Sequence, residues 1–124
     1  MNFLEAAELQ ELWDFMADTA AKNDAQAIAV GGMPDHAHLL LRLPPTVLLS
    51  DLVCKIKACS SGWIKKRFPQ YKGFAWQEGY AAFTVGPTQV KSVERYIARQ
   101  RMHHEAKTFE QEYHTILAKA SPSP

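Results

Sequence analysis

The sequence predicts an α+β sandwich in which an antiparallel sheet carries helices on one face. Two observations lead there. Apolar residues recur at three- and four-residue steps over residues 3–22 and 47–68, as on amphipathic helices. Shorter runs between and after these segments have the alternation, or the aromatic and β-branched content, of strands. At 124 residues, 47% apolar and 22% charged, the chain suits a single soluble domain over residues 1–120, and a disordered or fibrous chain is excluded.

The elements follow in order. Leu9, Leu12, Trp13, Met16 and Ala20 form one stripe, with Glu5, Glu8, Glu11, Asp14 and Asp18 mostly elsewhere around the wheel, so residues 3–22 read as a helix. Asn23-Asp24 breaks it. The segment from Ala25 to Met33 reads as a strand closing on Gly31-Gly32, and His36 to Leu43 as a second, ended by Pro44-Pro45; the short Pro34-Asp35 connection makes them a hairpin. Leu49, Leu52, Val53, Ile56, Cys59, Trp63 and Ile64 mark a second helix from Val47 to Phe68, stopped by Pro69. Phe74 to Val85 reads as a third strand bent at Gly79. Gly86-Pro87-Thr88 opens a helix marked by Val90, Val93 and Ile97; Thr108 to Lys119 forms a terminal helix, and residues 121–124 a disordered Ser-Pro-Ser-Pro tail.

The formal net charge of +1 conceals a segregation. Residues 1–54 hold two basic and eight acidic side chains, whereas residues 55–107 hold eleven basic and three acidic ones. The basic half is interleaved with Trp63, Phe68, Tyr71, Phe74, Trp76 and Tyr80, a combination that suits single-stranded nucleic acid, whose bases stack on aromatic rings. The same pattern also fits solvated helix faces above an aromatic core. No apolar run approaches the roughly 18 residues of a membrane span, and Glu5, Glu8 and Glu11 stand where a signal peptide would be basic. A cytoplasmic protein with no membrane partner is expected. Cys54 and Cys59 are too few for a disulfide framework and read as reduced packing residues.

Two constellations could carry chemistry. His36 and His38 flank Ala37 in the second strand, so both imidazoles project from one face, where they could share a divalent metal or serve as structural histidines. Tyr96 and Gln100, four residues apart on the long third helix, present a hydroxyl and an amide side by side, although core packing is the default explanation of Tyr96 when that helix is taken alone. His103-His104 are alternative ligands or partners of the helix dipole.

Together these pieces resemble a known family. Pro34-Asp35-His36-Ala37-His38-Leu39-Leu40, the Ser60-Ser61 helix, Trp76-Gln77-Glu78-Gly79-Tyr80 and Tyr96-Ile97-Ala98-Arg99-Gln100 occur in the order found in the single-tyrosine transposases of small bacterial insertion sequences, of the insertion-sequence 200-like type. These belong to the His-hydrophobe-His (HUH) nucleases, and the resemblance runs from about Phe3 to Tyr113. It implies a ferredoxin-like, RRM-like fold. It also implies that His36 and His38 bind a divalent metal (Mg²⁺ or Mn²⁺), that Gln100 supplies a third ligand, and that Tyr96 is the nucleophile. The implied reaction is cleavage and strand transfer of single-stranded DNA through a 5′-phosphotyrosine, with recognition of DNA hairpins by a homodimer. Lys55, Lys57, Lys65, Lys66, Arg95 and Arg99, with Arg101 beside them, would hold the DNA backbone; Ser60 and Ser61 are contacts or plain helix residues. A phenol with a pKa near 10 needs such help at neutral pH, and imidazole ligands would favour Mn²⁺ or Co²⁺ over Mg²⁺ in vitro.

Members of this family normally begin with an interior strand ahead of the first helix, whereas here the helix follows Met1 almost at once. The sandwich is therefore expected to lack its usual first strand, which leaves open a late start codon, a decayed element or a gap filled by another chain. Two other functions compete with strand transfer. One is a non-catalytic single-strand nucleic-acid-binding module, whether a truncated transposase or an RNA-recognition-like domain; the other is metal-dependent hydrolysis without a covalent intermediate.

Overall fold

The computed structural model describes residues 6–33, 36–76, 79–82, 84–102 and 109–120. The order is α1 (Ala6–Lys22), β1 (Gln26–Met33), β2 (His36–Arg42), α2 (Leu49–Arg67), α3 (Val90–Met102) and α4 (Phe109–Ala120), with short 3₁₀ turns at Pro69–Tyr71 and Pro87–Gln89. β1 and β2 pair antiparallel, Gln26 opposite Arg42 and Met33 opposite His36. The α+β class, the hairpin and the helices match the sequence reading closely. The tail and His103-His104 lie outside the described residues.

Alternation along the hairpin sorts the core into two clusters. Val30, Ala37, Leu39 and Leu41 face the first, with Leu9, Leu12, Trp13 and Met16 of α1 and Leu52, Ile56 and Ile64 of α2. Leu40 faces the second, with Val93 and Ile97 of α3 and Ile116 and Ala120 of α4. Besides the helix layer of α1 and α2, the opposite face of the sheet therefore carries α3 and α4. Ile28 is an extra residue in the ladder, because Ala27 pairs with Leu41 and Ala29 with Leu40. This bulge turns Ile28 and Ala29 to the same side, and both pack in the second cluster.

α3 lies very close to the sheet. Gly31 pairs with His38, and a Cβ at Gly31 would stand 2.8 Å from the Ile97 carbonyl oxygen, so only glycine admits the helix backbone there. Gln10 and Arg101 then tie α1 to α3. Gln10 Nε2 donates to the Arg101 carbonyl at 2.7 Å, and Arg101 Nε donates to Gln10 Oε1 at 2.7 Å.

The third strand expected over Phe74 to Val85 does not form: its described residues, 74–76, 79–82, 84 and 85, carry no strand pairing. Side-chain anchors account for its course. Phe74 is buried in the first cluster, Trp76 Nε1 donates to Ser60 Oγ at 2.9 Å, Lys57 Nζ donates to the Gly79 carbonyl at 2.6 Å, and Val85 packs on the second cluster. These hold the segment beside a cleft of about 980 Å³, whose lining includes every residue from His36 to Leu43 together with Gly79–Ala82, Thr84 and Val85. Paired strands lie only about 4.8 Å apart, and this segment, held by its side chains beside the cleft, forms no such ladder with the outer edge of β2, which stays unpaired among the described residues.

Candidate metal centre

His36, His38 and Leu40 share one face of β2, and that face meets α4. Glu112, Ile116 and Ala120 follow one another at four-residue steps on α4, and all three are buried. The apolar pair that seats α4 on the second cluster thus carries the Glu112 carboxylate to the histidines. His36 Nε2 donates to Glu112 Oε2 at 2.8 Å, and His38 Nε2 donates to the same oxygen over a short contact. The two rings meet edge to face, with centroids 5.4 Å apart.

Glu112 is 1% exposed. Burial by itself would raise its pKa, but the hydrogen bonds from His36 and His38 and their charges outweigh burial and lower it to about 2. The carboxylate is therefore ionised at neutral pH. Its oxygen and the two imidazole nitrogens offer donor atoms all within 4.8 Å of one another, and His36 and His38 also line the cleft. Two nitrogens, one anionic oxygen and a side open to the cleft suit a divalent cation that keeps free coordination positions, so the residues present fit a metal. Binding would displace the protons that both Nε2 atoms direct at Glu112.

The other anticipated residues are distributed differently. Tyr96 is half-buried against the second cluster, with Lys119 Nζ 5.7 Å from its ring centroid, and it is not among the described residues lining the cleft. The Gln100 side-chain oxygen is buried, with no hydrogen-bond partner among the described residues. Lys55, Lys65 and Lys66 are exposed on α2 and Arg95 and Arg99 on α3, so the cations occupy both layers; Lys57 and Ser61 are half-buried. Ser60 belongs to the core. It is 0% exposed, its hydroxyl donates to the Ile56 carbonyl at 2.6 Å and accepts from Trp76, and it offers no surface to DNA.

Arg101 is likewise engaged, by Gln10 and by Asp14 at 3.0 Å. Most of the interleaved aromatics are packing groups: Phe68 and Phe74 are buried, Trp63, Tyr71 and Trp76 pack against the same cluster, and Trp63 stacks on Phe15 at 4.9 Å. Tyr80 is the large aromatic that stands exposed among the described residues. Cys54 and Cys59 are free thiols, but they lie exposed on α2 and are not packing residues. Glu112 escaped the sequence reading. Its signal was an acidic residue in register with the apolar stripe of the last helix.

An α+β domain that exposes lysines and arginines on two helices and sets a dihistidine site beside a cleft has the features of a metal-dependent nucleic-acid protein. The family model described as "Transposase IS200 like" matches residues 2–100, and the chain belongs to that family. It is 33% identical over 94 residues to the ISDra2 transposase TnpA of Deinococcus radiodurans, an alignment covering 72% of this chain and 67% of that protein. A crystal structure of a protein assigned as a transposase from Deinococcus radiodurans R1 superposes with a TM-score of 0.59 at 30% identity, covering 73% of this chain and 74% of the other. Transposases act on DNA, and this family is metal-dependent. Among the described residues, no helix is long and apolar enough to cross a membrane.

Proposed function

We propose that this transposase cleaves and rejoins single-stranded DNA through a covalent bond to Tyr96, using a metal ion held by His36 and His38. The observation that carries the reading is the convergence of the Nε2 atoms of two cleft-lining histidines on one carboxylate oxygen, in a chain matching IS200-like transposases over residues 2–100. When bound, a divalent cation there would offset the charge that develops on the scissile phosphate. The Tyr96 oxygen attacks phosphorus and loses its proton; the bond to the 3′-oxygen breaks, and that oxygen is released as a hydroxyl. The product is a 5′-phosphotyrosine, which keeps the phosphoester linkage for reversal by another 3′-hydroxyl.

Gln100 is the further ligand that the family resemblance supplies; it lies one turn beyond Tyr96 on α3 and would serve the same pair of histidines as that tyrosine. Exposed Lys55, Lys65, Lys66, Arg95 and Arg99, with Lys57 and Ser61 beside them, hold the backbone of hairpin-bearing DNA. Because Tyr96 does not line the cleft of its own protomer, we place the reaction in a homodimer in which α3 of one copy serves the histidines of the other. The same placement of Tyr96 supports one rival reading, a module that binds single-stranded DNA without cleaving it.

The deciding experiment incubates purified protein with labelled hairpin oligonucleotides from the flanks of its own gene and Mn²⁺, comparing wild type with Tyr96→Phe on a denaturing gel. A slow covalent protein–DNA species that disappears in the variant and with chelator is the expected result. Hairpin binding by folded protein without any adduct would leave the non-catalytic module as the function.

A further inference from the structure

We infer that the Glu112 carboxylate is itself a ligand of the cation, making the site a His–His–Glu centre that selects a transition metal over Mg²⁺. The inference rests on the reading that His36 and His38 hold a metal. Glu112 lies beyond residues 2–100, so the family match assigns it no role. Its position instead comes from α4, whose buried face delivers it at the same four-residue spacing as Ile116 and Ala120.

The geometry favours a ligand over a simple anchor for the helix. Both histidines turn the same ring nitrogen, Nε2, to one carboxylate oxygen, so three donors from two elements share a single focus within 4.8 Å. A pair serving only to fasten α4 would be complete with one imidazole. The second one brings the site to the count and type of donors found around a catalytic zinc-type ion, two nitrogens and a carboxylate with a further position open. Two imidazoles are softer than the all-oxygen set that Mg²⁺ prefers, while the anionic oxygen supplies charge that an amide does not.

The test titrates full-length, metal-free protein with Co²⁺ in the absence of DNA, reading visible absorption and affinity, for wild type, Glu112→Gln, the exposed control Glu110→Gln, and His36→Ala. Expected are Co²⁺ binding by wild type that excess Mg²⁺ does not displace, a weakening in Glu112→Gln beyond the roughly 10–100-fold that loss of a mere hydrogen-bond partner of the histidines costs, and no change in Glu110→Gln; a loss within that range makes Glu112 such a partner and overturns the inference. If Glu112→Gln binds Co²⁺ like wild type while His36→Ala does not, Glu112 is only an anchor and the inference falls, with the histidine reading intact. If His36→Ala also binds normally, the histidine reading falls with it. Should Glu112→Gln fail to fold, carbon-13 NMR of the wild-type carboxyl group decides: it moves on Zn²⁺ addition if ligated, and a static resonance beside shifting imidazole signals overturns the proposal.

Discussion

A carboxylate that is 1% exposed persists in the second core because two imidazole N–H groups donate to it. That balance makes stability depend on pH. The Glu112 pKa lies at about 2 in the folded protein against an ordinary value of 4.5, so its contribution is complete above about pH 4.5 and is lost as the pH falls toward 2. Metal-free wild type should therefore lose on the order of 3 kcal/mol more than Glu112→Gln across that window, measured by urea unfolding at successive pH values. Parallel losses in the two proteins would remove Glu112 as the source. Ser60 shows the same logic in a neutral group, since its hydroxyl is tolerated at a core position only because Ile56 and Trp76 satisfy it.

Among the elements, α3 matters most to the proposed chemistry because it carries Tyr96 and Gln100. Three features seat it: Val93 and Ile97 in the second cluster, the close approach at Gly31, and the Gln10–Arg101 pair. Gly31→Ala places a Cβ 2.8 Å from a backbone oxygen that cannot rotate away, so the helix must shift. The expected cost is about 1–3 kcal/mol in thermal or chemical unfolding. Since the shifted helix also moves Tyr96, adduct formation should fall more steeply than hairpin binding. An unchanged melting temperature in Gly31→Ala would show that α3 does not rest on the sheet there. α4 is seated more simply, by Ile116 and Ala120, and the stripe that holds it also aims Glu112.

For the molecule taken whole, tertiary packing redistributes the charge that is segregated along the chain. The acidic first helix takes up part of the basic half, pairing Glu11 with Arg67 at 3.3 Å and Asp14 with Arg101 at 3.0 Å. Surface pairs of this kind add little stability, but they lower the number of cations available to a phosphate backbone. Lys65 and Lys66 stand exposed on α2 and make no such pair among the described residues. A Lys65→Ala/Lys66→Ala protein should bind single-stranded hairpin ends more weakly, with the slope of log affinity against log salt reduced by about 0.7 for each phosphate no longer neutralised. Arg101→Ala should leave that slope alone while lowering thermal stability. Fluorescence anisotropy at several salt concentrations separates these outcomes, and an unaltered slope in the lysine variant would move the DNA to another face.

The hairpin and the helices are legible in the sequence because each is written in a local period: two for β2, which puts His36 and His38 on one face, and about 3.6 for α1, α2 and α3. The family is legible there too, through ordered motifs within residues 2–100. Packing supplies what local periods do not encode. The aromatic, β-branched content of Phe74 to Val85 reads as strand, yet a strand needs a partner at ladder distance, and side-chain anchors hold the described part of this segment beside the cleft, unpaired with the open edge of β2. Likewise Glu112 lies 76 residues from His36, a separation over which no spacing rule connects a carboxylate to an imidazole. Only the seating of α4 against the second core brings them together, because burial of Ile116 and Ala120 fixes which face of that helix the histidines meet.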